Sequence, residues 1–193
     1  MTTKRIMQEI ARHVAKTTEE LDDSEVENMI KLIRKANRIF VIGAGRSGLT
    51  ARAFAMRLVQ LGLTAYVVGE TITPGMNKKD LLIAVSGSGE TSSVVSATKI
   101  AKSIGVKVLA ITSYPKSSIG KISDYVMKIK GKTKIDIEKN HLKHQIEGIH
   151  SSLTPLGTMF EDTTQIFFDG VTAELMEKLG KKEKDMKKIH ALE

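Results

Sequence analysis

The chain has 193 residues, of which 41% are hydrophobic and 27% charged, a balance that suits one globular domain with a real core and excludes a disordered chain. It contains no cysteine, which removes disulfides, thiol catalysis and thiolate metal sites, and no apolar run long enough to cross a bilayer. The net charge of +8 favours acidic partners, but the lysines are spread along the chain and aromatic residues make up only 4%, too few for a base-stacking surface, so neither nucleic acid nor a membrane is an expected partner.

Met1-Thr2-Thr3-Lys4-Arg5 lacks the apolar core of a signal peptide, and a cytoplasmic location is the simplest expectation. Ile6, Ile10 and Val14 share one face of a first predicted helix. Val26, Met29, Ile30 and Ile33 do the same in a second, with Asp22, Asp23 and Ser24 as candidate N-caps. Strand and helix then alternate. A strand over 38–42 leads through Gly43–Gly48 to a helix over 49–61, closed by Gly62. Further strands are expected over 65–68, 80–85, 106–111 and 125–129, with a helix over 91–104 closed by Gly105 and a short one near 117–121. Residues 132–150 are polar and basic, an exposed helix or connector. Thr154 and Pro155 then open a long amphipathic helix, with Met159, Ile166, Phe167, Val171, Leu175 and Leu179 as buried candidates, and Gly180 ends it before a charged tail.

The strands are nearly continuous apolar runs, the mark of a parallel sheet covered on both faces. The expected architecture is α/β: a five-stranded parallel sheet, doubly wound, in one domain over residues 1–193. Ligands of such sheets sit beyond the carboxyl ends of the strands, which is where two glycine-rich loops fall. One is Gly43-Ala44-Gly45-Arg46-Ser47-Gly48; the other is Ser86-Gly87-Ser88-Gly89-Glu90-Thr91. Each joins a strand to a helix N-terminus, where unpaired N–H groups and the positive end of the dipole favour an anion. Glycines let the backbone approach a ligand, and the hydroxyls of Ser47, Ser86, Ser88 and Thr91 suit a phosphate.

The first loop alone also reads as the GxGxxG dinucleotide fingerprint, with Glu70 placed to bind a ribose hydroxyl. A dinucleotide site has no need of a second hydroxyl-rich anion loop, whereas a sugar phosphate uses both. The plain alternative for these glycines is tight turning without a ligand.

Paired in this way, Gly43-x-Gly45-x-Ser47 and Ser86-Gly-Ser-Gly-Glu-Thr91 resemble the sugar isomerase (SIS) domain, which binds phosphosugars. Phe54-Ala-Met-Arg-Leu58, Tyr66-Val-Val-Gly-Glu-Thr71 and Pro155-Leu-Gly-Thr-Met-Phe-Glu161 extend the resemblance, more narrowly, to the 6-phospho-3-hexuloisomerases. The resemblance implies isomerisation of D-arabino-3-hexulose 6-phosphate to fructose 6-phosphate, without metal or other cofactor. It places the reaction in the ribulose monophosphate route of formaldehyde fixation or, in archaea, of pentose phosphate supply. It also implies a homotetramer with sites near subunit interfaces. Another SIS aldose–ketose isomerase and a non-catalytic phosphosugar sensor are the other readings.

Moving a carbonyl from C3 to C2 needs a base, and Glu161, where the family motif ends, is the candidate. Its plain alternative is an acidic residue serving the helix dipole, the reading also given to Glu90; Asp162 is expected to point elsewhere. Gly45, Arg46, Ser47, Gln60, Glu70, Ser86, Gly87, Ser88, Gly89 and Thr91 are the expected substrate-binding set: Ser47, Ser86, Ser88 and Thr91 with the N–H groups of Gly87 and Gly89 grip the phosphate, Arg46 adds charge or closes over the ligand, and Glu70 is placed to orient substrate hydroxyls. Gln60 stands where the family carries His, and an amide cannot donate a proton at neutral pH. His190 resembles a family C-terminal His that can act as acid or base over a neighbouring subunit's site. His141 and His144, near Glu138 and Glu147, make only a weak metal signal, and no metal is expected. His13 is expected at the surface.

Overall fold

Five short apolar runs form the sheet: β1 (Ile39–Gly43), β2 (Ala65–Val67), β3 (Leu81–Val85), β4 (Lys107–Thr112) and β5 (Tyr125–Lys128). All pairings are parallel and the order is β2-β1-β3-β4-β5, as the alternation of strand and helix predicts. The computed structural model describes residues 2–131, 154–155 and 157–189. Among these the helices are α1 (Thr3–Glu19), α2 (Asp23–Lys35), α3 (Gly45–Gln60), α4 (Ser92–Ile104), α5 (Ser118–Ile122), α6 (Thr158–Lys178) and α7 (Glu183–Ile189).

The period-2 alternation of each strand divides the core into two layers. Ile39, Val41, Leu81, Ile83, Val85, Leu109, Ile111 and Met127 face α2, α3 and α6, where Met29, Ile33, Phe54, Leu58, Phe160, Phe168 and Leu175 complete the larger core. Phe54 of α3 and Phe168 of α6 stack with ring centroids 4.1 Å apart and planes 4° apart. On the opposite face Phe40, Leu82 and Val108 meet Ala101, while Ala84 and Ala110 lie beneath Val94 of α4 and Ile119 of α5. The sheet is thus covered on both faces; β3 is buried throughout and β4 after Lys107, β1 is buried up to Val41, and the edge strands β2 and β5 are the more exposed.

Several boundaries differ from the sequence expectation. Helix α3 begins at Gly45, four residues early, so most of the first glycine loop is helical first turn. Gly43 and Gly48 explain why: a Cβ on either would come within 2.8 Å of the other's backbone. Helix α6 begins at Thr158 rather than at Pro155, because its N-cap is Gly157 in the left-handed region at φ 88°, not Thr154. Ile166 is 51% exposed, since the buried stripe of α6 runs through Phe160, Thr164, Phe168, Val171 and Leu175. That stripe holds threonines whose hydroxyls donate to the carbonyl four residues back, Thr164 to Phe160 at 2.7 Å, and apolar periodicity does not find them. The expected charged tail contains α7, and His13 is half-buried, donating from Nε2 to the carbonyl of Lys130 at 3.0 Å.

Lys102, Lys107 and the N–H of Val108 all donate to Asp124 at the start of β5, at 2.8, 3.3 and 2.8 Å. Burial is the largest single influence on this carboxyl and pushes its pKa up, but the three donors together outweigh it and hold the pKa below the ordinary 3.8. The group fastens the entry of β5 to that of β4.

Candidate active site

Gly43, Val85 and Ile111 stand in register at the carboxyl ends of β1, β3 and β4. Helix α3 leads from β1 toward β2 on one side, while the chain goes on to β4 on the other, so the order reverses between β1 and β3. Loops leaving neighbouring strands at such a switch point frame a crevice. The two glycine-rich segments are those loops.

The Ser86–Thr91 loop holds its shape through its own side chains. Ser86 Oγ accepts from the N–H of Gly89 at 3.1 Å and lies 3.0 Å from Thr91 Oγ1; Ser88 Oγ accepts from the N–H of Glu90 at 3.2 Å. Only one hydrogen lies between Ser86 and Thr91, so one of their two hydroxyl protons stays free, as does that of Ser88. Gly89 has φ 68°, and a Cβ there would overlap Ser117. Thr91, the N-cap of α4, makes no side-chain cap. Among the described residues, the N–H groups of Gly87, Ser88, Thr91, Ser92 and Ser93 have no hydrogen-bond partner. Unpartnered donors gathered at a helix N-terminus have the chemistry that suits an anion.

Helix α3 opens on the same crevice. Its N-cap, Ala44, offers no side-chain cap, and Gly45 has φ 56° with open space around it. Arg46 and Ser47 do not turn toward the second loop: both meet Glu161. Arg46 Nε donates to Glu161 Oε2 at 2.6 Å, and Ser47 Oγ donates to Oε1 at 3.4 Å. The carboxylate side chain is only 13% exposed, against 56% for Arg46. Gly157 makes room for it, since a Cβ there would stand 3.1 Å from both carboxylate oxygens. Arg46 Nη2 also donates to Asp162 Oδ1 at 2.9 Å, so Asp162 shares the guanidinium, contrary to expectation. The pairing, the hydrogen bond to Glu161 foremost, raises the pKa of Arg46 above its ordinary value.

Phe160, the neighbour of Glu161, ties α6 to the other loop. A Cβ on Gly87 would come within 2.9 Å of its ring, and one on Gly131 would overlap its backbone. The structure therefore brings Arg46, Ser47 and Glu161 into hydrogen-bond contact, and sets Gly87 of the Ser86–Thr91 loop against Phe160.

Other expected residues fall elsewhere. Glu70 follows edge strand β2 and lies 3.7 Å from Arg52 Nη1. Gln60 is buried at the far end of α3, about 20 Å along the helix from Ser47, where its amide oxygen accepts from Arg57 Nη1 at 3.0 Å. Within one chain it does not reach Glu161. His190, His141, His144, Glu138 and Glu147 lie outside the described residues. Among the described residues no cluster of His, Asp and Glu is arranged to hold a metal ion, and no helix is long and apolar enough to cross a membrane.

The SIS domain profile matches residues 32–144, which include both loops. The chain belongs to the SIS domain family. The 3-hexulose-6-phosphate isomerase of Bacillus subtilis is 37% identical over 191 residues, spanning 99% of this chain and 98% of that protein. The 3-hexulose-6-phosphate isomerase of Methanocaldococcus jannaschii is 39% identical over 167 residues, 86% of this chain and 83% of that protein. A crystal structure from Methanococcus jannaschii, from which a 3-hexulose-6-phosphate isomerase function was inferred, superposes with a TM-score of 0.77 at 35% identity, covering 95% of this chain and 96% of that one. The family implied by the two loops is the family found, and the SIS sheet and its flanking helices are those expected.

Proposed function

We propose that this SIS protein is a phosphosugar isomerase that converts D-arabino-3-hexulose 6-phosphate to fructose 6-phosphate through a 2,3-enediol. The observation that carries the reading is that the loop with the open N–H groups packs, through Gly87, on Phe160, the residue next to the sheltered carboxylate of Glu161. Relatives of that name along nearly the whole chain support the substrate. The ribulose monophosphate route is the metabolic setting that fits it.

In this mechanism the phosphate takes the N–H groups of Gly87, Ser88, Thr91, Ser92 and Ser93, the hydroxyl proton of Ser88 and the one that the Ser86–Thr91 pair leaves free. Binding energy gathered there, away from the reacting carbons, holds C2 and C3 in place. Glu161 removes the proton from C2; the C2–H electron pair forms the C2–C3 double bond and the C3 carbonyl becomes an enolate oxygen. Protons redistribute between O2 and O3, and Glu161 returns its proton to C3 as the C2 carbonyl forms. Arg46 lies beside this path, where its charge offsets the negative charge that develops on the enediolate. Ser47 acts on Glu161 and not directly on the phosphate. Glu70 stays in the proposal as a contact for substrate hydroxyls, and His190 as an acid or base from a second chain. Gln60 is given no step.

A homotetramer fits the exposed apolar stripe of Leu49, Met56 and Val59 on α3 and the pair Ile100 and Ile104 on α4. The deciding experiment is turnover: purified protein with 3-hexulose 6-phosphate and no added metal, with fructose 6-phosphate as the readout. Formation of fructose 6-phosphate is the expected result. No turnover with retained phosphosugar binding would turn the reading to another phosphosugar or to a sensor.

A further inference from the structure

Three hydroxyl side chains shape the Ser86–Thr91 loop from within, and among the described residues its hydrogen bonds to elements other than the helix it opens run to one place, the end of β4 and the start of α5. The carbonyl of Gly87 accepts from the N–H of Ser113 at 3.1 Å and from Thr112 Oγ1 at 3.2 Å. The carbonyl of Gly89 accepts from the N–H of Ile119 at 3.1 Å. Glu90 adds the charged tie: its Oε1 accepts from the N–H of Ser118 at 2.8 Å and its Oε2 from Ser118 Oγ at 2.6 Å. Ser117 Oγ takes the next donor, the N–H of Gly120. The first N–H groups of α5 are therefore all consumed by the loop and by Ser117, while those of α4 stay open. Hydrogen bonding from Ser118, first its hydroxyl and then its N–H, lowers the pKa of Glu90. The carboxylate form is the one this contact selects.

We propose that Glu90 is a positioning residue for the phosphate seat. Its carboxylate, gripped from both oxygens by Ser118, braces the loop from behind. Gly87 and Gly89 leave the backbone free to take many shapes, and a two-point charged anchor next to Gly89 selects the one in which the open N–H groups converge. This role rests on the reading of the loop as the seat for a phosphate. Glu90 does not touch the substrate; it acts through the backbone of Ser88, Gly89 and Thr91.

The test uses the full chain and the variants Glu90→Ala, Glu90→Gln and Ser118→Ala. Steady-state kinetics give KM and kcat for 3-hexulose 6-phosphate, and calorimetric titration gives the Kd of inorganic phosphate. Glu90→Ala is expected to raise both KM and the phosphate Kd by about tenfold, the scale of one charge-assisted anchor, with kcat at saturation changed by less than about threefold. Glu90→Gln, which keeps the shape and an acceptor, is expected to recover most of that loss. Ser118→Ala is expected to move KM and Kd in the same direction by less, and it keeps the test decisive if Glu90→Ala does not fold. Unchanged KM and phosphate Kd in Glu90→Ala, or a fall in kcat with both unchanged, would overturn the proposal. A parent protein that binds phosphate but does not turn over the hexulose refutes the isomerase reading alone, and the phosphate titration still decides the role of Glu90.

Discussion

Gly87 lies against the ring of Phe160 so closely that one added methyl group would stand 2.9 Å from Cδ1. Phe160 is followed by Glu161, whose carboxylate is held by Arg46 at 2.6 Å and Ser47 at 3.4 Å. The contact joins the loop after β3 to the helix that carries the candidate base, although the two are more than seventy residues apart in the chain. A change on the loop is therefore expected to reach the carboxylate through Phe160.

Gly87→Ala is expected to displace the Phe160 ring and shift Glu161 with it. A misplacement on the scale of an ångström costs about 10²-fold in rate, so kcat is expected to fall far more than phosphate affinity. Overpacking adds a loss of stability of about 1–3 kcal/mol. Kinetics together with urea unfolding of the same variant would show both effects; a silent substitution would mean that the two segments are not coupled.

Glu161→Gln keeps the shape of the side chain and removes its basicity. Turnover is expected to drop by about 10² to 10⁴-fold, the usual worth of a positioned general base. Inorganic phosphate is expected to bind at least as well as before, because a nearby negative charge is gone. Parallel kinetics and phosphate titration check this, and a variant of full activity would remove Glu161 from the mechanism.

Phe168→Ala opens a hole between α3 and α6 where the Phe54 ring now stacks. The expected loss is about 3–5 kcal/mol, from lost burial and the cavity left behind. Chemical denaturation should show a lower midpoint at an unchanged slope. A loss under about 1 kcal/mol would mean that the two helices close the gap.

Asp124 gives a pH dependence of known sign. Its folded pKa is depressed below the ordinary 3.8, so the stability it contributes is present above that value and is lost as pH falls through the folded one. Asp124→Asn is expected to be less stable than the parent near neutral pH, and the gap is expected to narrow at about pH 3 and below. Urea unfolding at the two pH values measures the gap directly. A constant gap would show that the three donors around the carboxyl act through geometry and not through its charge.

The sheet was legible because its strands are unbroken apolar runs and its turns carry Gly and Pro at the ends of periodic segments. The Ser86–Thr91 loop was legible because glycines and hydroxyls alternate just after a strand, and Glu161 because of the segment Pro155–Glu161 that precedes it. What the sequence hid was non-local. Asp162 is one helical step from Glu161, and nothing in the order of residues shows that Arg46, more than a hundred positions earlier, spans both. Glu90 looked like an ordinary acidic residue at a helix start, since Ser118 lies on a different element. Gln60 stands where the family motif carries His, and the length of α3 carries it away from the crevice of its own chain. The early start of α3 was masked by glycine, whose weak helix propensity conceals that Gly43 and Gly48 are there to let two backbones touch.

The two sides of the sheet are unequally filled. Beneath the first turn of α4 and beneath α5 lie Ala84 and Ala110, both fully buried, with Phe40, Leu82 and Val108 farther along at Ala101, whereas the other side is filled by Phe54, Phe160 and Phe168. Methyl groups have no rotamers to exchange, so the first turn of α4, where Val94 meets Ala84 and Ala110, has a floor with little to rearrange. For the proposed phosphate seat, little order has to be created beneath that turn on binding, and the ordering that does matter belongs to the loop that Glu90 braces. On the other side Glu161 follows Phe160, so the candidate base is seated on ring packing rather than on methyl groups.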